Sequence, residues 1–178
     1  MSAALLRDVN KQHTITDDLE SALHVLTWTM LRHVPHKMKH ALLTKHLRQV
    51  YDEYDTPTGT GGGTKGLSLA VGRYIPPELQ LVQESPLLDL LDALSDPFVA
   101  VYGVEPGKIK KYTQMENQDT LKYLRAIYNG RMACSESPEW FQEVIQMALD
   151  DPWPADDGNS VQNCSAKFNT RAVQTPTR

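Results

Sequence analysis

Apolar residues recur at helical spacing through most of the first 150 positions. Leu19, Ala22, Leu23, Leu26, Met30 and Leu31 follow one another at intervals of three and four, with Val25, Trp28 and Val34 on the other faces. A helix apolar nearly all round is expected to be buried on several sides. Thr16 or Asp17 is expected to cap it, with Glu20 bonding back to free backbone N–H groups, and Pro35 ends it. A short helix is expected over residues 2–8. A second long one is expected over 37–54, its stripe made by Met38, Leu42, Leu43, Leu47, Val50 and Tyr51.

Residues 56–66 are rich in Gly and Thr and read as a flexible surface loop, followed by a helical turn over 67–71. Ser85-Pro86 opens a leucine-rich helix, because proline at the first helical position removes no needed donor. Pro97 breaks that helix, and Phe98 to Tyr102 continue the burial. Asn117 is expected to cap a helix ended by Gly130, and Ser137-Pro138 to open a last helix bearing Trp140, Phe141, Val144 and Ile145. The expected fold class is all-α. Residues 1–150 form one domain, and 151–178, poor in large apolar residues, read as a disordered tail.

Composition narrows the functional classes. Of 178 residues 40% are apolar and 22% charged, with a net charge of -4. That balance gives no broad attraction to nucleic acid, and Lys108 to Lys111 is too short a basic patch to change it. No apolar run reaches the roughly 20 residues a bilayer span needs, so no membrane partner is expected. Two cysteines, Cys134 and Cys164, make neither a disulfide framework nor a thiolate zinc site. With no targeting signal, a cytoplasmic or nuclear location is the expectation.

Candidate chemistry is sparse. His33, His36 and His40 have helical spacing, with His46 further on, but Pro35 interrupts them and no further ligands complete a metal set. His24, on an apolar helix, reads as a hydrogen-bonded core residue. Asp89 and Asp92 mark a solvent face. Gly61-Gly62-Gly63-Thr64-Lys65-Gly66 matches G-x-G-x-x-G, yet the preceding residues read as helix where a phosphate loop requires a strand. No catalytic residue, cofactor site or metal site is assigned.

The helix start is more specific. Asp18-Leu19-Glu20-Ser21 resembles the Asp-x-Trp-Ser segment that opens the central helix of the protein kinase C-terminal lobe. The doublet form, Asp17-Asp18-Leu19-Glu20-Ser21, and the flanking Met1-Ser2-Ala3-Ala4-Leu5-Leu6 and His24-Val25-Leu26-Thr27-Trp28 are similar to the fungal-type protein kinase family. Gly72-Arg73-Tyr74-Ile75-Pro76 and the leucine-rich segment are compatible with it. The resemblance implies a kinase-like C-lobe lacking its N-lobe and catalytic loop, a family activity of Mg-ATP-dependent phosphorylation of protein Ser and Thr, and Asp18 as the structural anchor of that missing loop, accepting its backbone N–H groups.

The departures are large. The chain has no His-Arg-Asp, no Asp-Phe-Gly and no strand lysine after a glycine loop. Ala4 stands where the family's Ala-Pro-Glu segment has glutamate, and Glu20 where many kinases have Trp. The chain is therefore expected to be inactive by itself. Its C-lobe face, left bare by the missing half, is expected to be apolar and open to a protein partner. The rival reading is an all-helical protein-interaction module with no kinase ancestry.

Overall fold

The computed structural model describes residues 1–8, 10–55, 57, 59–109 and 118–155. Eight α-helices among them make the all-α architecture that the periodicity predicts. They are α1 (Ala3–Arg7), α2 (Ile15–His33), α3 (His40–Tyr51), α4 (Gly63–Ala70), α5 (Leu87–Ser95), α6 (Phe98–Tyr102), α7 (Gln118–Ser135) and α8 (Pro138–Asp150). A 3-10 turn spans Pro106–Lys108. One small antiparallel pair, β1 (Tyr54–Asp55) with β2 (Thr60–Gly61), leads into α4.

The core forms where the apolar stripes of α2, α5 and α8 meet. Leu19, Leu23, Met30 and Leu31 of α2 pack with Leu90, Leu91 and Leu94 of α5, Phe98 of α6 and Phe141 and Ala148 of α8. Leu43 of α3 and Leu69 of α4 close one side. Burying a side chain of this size contributes about 1.5–3 kcal/mol. Ser137 Oγ accepts from Trp140 N–H at 3.1 Å, so the last helix begins where its Ser-Pro signal places it.

Several boundaries differ from the sequence expectation. α2 starts at Ile15 with Thr14 as its N-cap, and Asp17 is the third helical residue rather than the cap. Its carboxylate reaches back to the Thr14 N–H at 2.9 Å, completing one half of a capping box. Gly130 lies inside α7 and does not end it; an added Cβ there would meet nothing within 4 Å. The Asn117 cap and the tail from residue 156 onward lie outside the described residues.

The glycine run also departs from a surface loop. Gly62 is buried with a φ of 74°, and a Cβ built there would stand 2.9 Å from the Ala3 Cα. A Cβ on Gly66 would stand 2.7 Å from Arg7 Nη2. These glycines let α1 lie directly on the start of α4. Arg7 then donates to the Gly63 carbonyl at 2.9 Å.

Candidate functional site

The buried polar groups of α2 converge on the chain's own first residues. Asp17, 2% exposed, accepts from Ser2 Oγ at 2.7 Å, from Thr14 Oγ1 at 2.7 Å and from Lys11 Nζ. Glu20, one helical turn on and 1% exposed, accepts from the Ala3 N–H at 2.8 Å and the Tyr102 hydroxyl at 2.6 Å. The Ala4 N–H in turn donates to the Tyr102 oxygen at 3.0 Å. Three free donors at the head of α1 are thus Ser2 Oγ–H and two backbone N–H groups, each paired with α2 or α6.

Behind Glu20 runs a chain of hydroxyl and imidazole groups. His24 Nε2 lies 3.0 Å from Glu20 Oε1, and its Nδ1 lies 2.5 Å from the Tyr74 hydroxyl. The Tyr51 hydroxyl lies 3.2 Å from that of Tyr74. Burial lowers the His24 pKa against the opposing pull of Glu20; in the neutral ring that burial favours, an Nε2–H donating to Glu20 leaves Nδ1 to accept from Tyr74. Burial pushes the Tyr51 phenol up to about 12 and also raises Tyr74 and Tyr102 well above the ordinary phenol value. These phenols stay protonated and act as donors. Lys65, 6% exposed, places Nζ 5.3 Å from the Tyr51 ring centroid, and burial lowers its pKa against the opposing charges of Glu20, Glu53 and Asp52.

Two opposed effects act on Asp17. Burial raises its pKa, but hydrogen bonds from Lys11, Ser2 and Thr14 outweigh that and hold the carboxyl well below the ordinary 3.8.

Asp18, the anchor implied by the kinase resemblance, has a different setting. Its carboxylate is 59% exposed and lies 3.2 Å from His13 Nε2. It stands on the outer side of α2 with Ile15, Val25 and Leu26, of which Val25 is 61% exposed. At 100° per residue these positions share one arc of the helix, opposite Asp17, Glu20, Leu23, His24 and Thr27. Leu19 points into the core, and Ser21 Oγ donates to the Asp17 carbonyl at 2.6 Å. The structure therefore separates the motif. Asp17, Leu19 and Glu20 face inward, while Asp18 faces out.

Sequence reasoning did not single out Ser2, Lys11, Thr14, Lys65, Tyr74 or Tyr102. Glu20 and His24, an ionisable pair four apart on an otherwise apolar helix, are the local signal for such a network. The other members come from up to 82 residues away from Glu20 and leave no mark in spacing.

The G-x-G-x-x-G stretch is filled by Ala3 and Arg7, so its backbone offers no cradle to phosphate. Among the described residues no three His, Cys, Asp or Glu side chains converge as metal ligands, and no helix is long and apolar enough to cross a membrane. No family model, no curated protein and no solved structure matches the chain.

Proposed function

We propose that this chain is the helical distal part of a fungal-type, protein-kinase-like C-lobe, inactive by itself, whose bare α2 face receives a further polypeptide segment. One observation carries the reading. The long helix α2 leaves Ile15, Val25 and Leu26 exposed, with Asp18 exposed at its head. That is where the family resemblance puts the catalytic loop that Asp18 would brace. An exposed carboxylate suits a loop's backbone N–H groups, and Val25 and Leu26 suit its apolar side chains. Phosphoryl transfer needs nucleotide, metal ions and acceptor held together, and the chain lacks the sequence groups that do this.

Two measurements test the proposal. Incubated with Mg-ATP and protein substrates, the purified chain transfers no phosphate; sustained transfer would overturn the claim of inactivity. Reading the genomic frame 5′ of the Met1 codon tests the ancestry. It should encode a His-Arg-Asp-like loop and an Asp-Phe-Gly-like site, and an unrelated coding or non-coding sequence would remove the kinase reading.

The second reading, an all-helical interaction module, is favoured by a different observation. Asp17 and Glu20 already hold Ser2 and Ala3, so the head of α2 is braced without any external loop. Dye binding separates the two. A kinase-like fragment binds an environment-sensitive hydrophobic dye through the bare arc, whereas a self-contained module unfolds cooperatively as a monomer and binds none.

A further inference from the structure

The segments that precede α3 and α5 meet in a short ladder. Residues 35–37 and 80–82 run antiparallel around the bridge His36–Leu81. The Lys37 N–H donates to the Gln80 carbonyl at 2.8 Å, and the Val82 N–H to the Pro35 carbonyl at 3.0 Å. His36 and Leu81 are therefore a non-hydrogen-bonded pair, and the N–H and C=O of Leu81 point away from His36. Among the described residues neither group has a hydrogen-bond partner. A free pair of this kind accepts one more extended segment.

Leu81 also lines a cleft of about 970 Å³, bounded by residues 80–86 and 151–154. Pro152 and Pro154 have no N–H, so at those positions the wall offers the edge no backbone donor. Trp153, 40% exposed, is fixed there by its Nε1–H bond to the Ala148 carbonyl at 2.7 Å. Leu88 adds apolar surface.

The charge of the lining is lopsided. Glu84, Asp89 and Asp151 stand against Lys37 alone. Among the described residues none of the three acids has an ion-pair partner. Beside them, burial and then the charge of Asp89 raise the Asp92 pKa. A second copy is a poor occupant, because pairing two Leu81 edges would set the acids of one cleft against those of the other. An extended strand that carries cations has the complementary charge.

We propose that this cleft docks an extended basic segment of a partner protein, added as a strand at Leu81. The segment's C=O accepts from the Leu81 N–H, and its N–H donates to the Leu81 carbonyl. Its apolar side chains rest on Trp153 and Leu88, and its lysines or arginines face Glu84, Asp89 and Asp151. The site shares no residue with the bare α2 face and does not depend on the kinase reading.

The probe is a short synthetic peptide in which arginine alternates with valine, added to the full chain. It should slow amide exchange of Leu81 about tenfold or more and leave the already bonded Val82 amide nearly unchanged. E84K/D151K should weaken its binding about tenfold or more. The same peptide N-methylated along its backbone keeps its charge and should leave Leu81 unprotected. No binding of the unmethylated peptide, or an affinity unchanged by E84K/D151K, would overturn the proposal. So would binding without Leu81 protection, or equal protection by the N-methylated peptide, since charge alone would then account for the contact. Leu81 protection present without peptide and lost on dilution would also overturn it, by giving the cleft to a second copy.

Discussion

Asp17 and Asp18 are neighbours in sequence and opposites in the fold. One is sealed beneath α1 with four donors; the other stands in solvent beside a histidine. The same contrast divides the whole of α2. Its inner arc joins apolar packing to a satisfied polar network, and its outer arc is apolar yet uncovered. A carboxylate's identity thus says little about its role. A helical rotation of about 100° decides whether it holds the fold or faces a partner.

The largest effect should come from the inner acid. Asp17→Asn removes the charge opposite Lys11 while leaving its other partners near, and should cost about 2–4 kcal/mol by chemical denaturation. Asp18→Asn should change stability by less than about 0.5 kcal/mol. Equal costs for the two would erase the contrast. The pH dependence carries the same sign. A carboxyl whose folded pKa is depressed contributes stability that is present above its ordinary 3.8 and lost as pH falls toward the folded value. The wild-type chain should therefore lose stability steeply below about pH 4, and Asp17→Asn should flatten that limb.

Gly62→Ala comes next. It forces a side chain onto a φ of 74° and into the Ala3 backbone, and should cost about 1–3 kcal/mol. Faster exchange of the Ala3 amide would locate the damage at the seat of α1. Tyr102→Phe removes one hydroxyl from between Glu20 and Ala4, for about 1–2 kcal/mol. The smallest stability effect belongs to the outer arc. Val25→Ser with Leu26→Ser should shift stability by about 0.5 kcal/mol or less and still reduce hydrophobic-dye binding. A large loss of stability there would show that the arc is covered.

The longer helices were legible in the sequence because each is long enough to display its period. α2, α5 and α8 stand where Leu19 to Leu31, Leu87 to Leu94 and Trp140 to Ala148 predict. Ends were less legible. The residue at Thr14 could not be separated from Thr16 or Asp17 as a cap by type alone, since all three are good caps. Gly130 reads as a stop, but once α7 is packed a glycine within it is tolerated at about 1 kcal/mol. The glycine run was the deepest misreading. A buried floor and a flexible loop share one composition, and only the arrival of α1 sixty residues distant distinguishes them. Of the polar network, Glu20 and His24 were visible as charged and titratable positions on an apolar helix. Tyr102 and Ser2 were not, because tertiary pairing leaves no local pattern.

The clasp at Tyr102 has a kinetic consequence. It joins the Ala4 amide to a hydroxyl 98 positions along the chain, a contact whose loop must close before any reward is felt. The α5–α6 turn and the head of α2 form from nearby contacts, so they should be ordered early, whereas the first residues should join the rate-limiting ensemble late. Substitutions at Ser2 or Ala3 should then accelerate unfolding and leave the refolding rate nearly untouched.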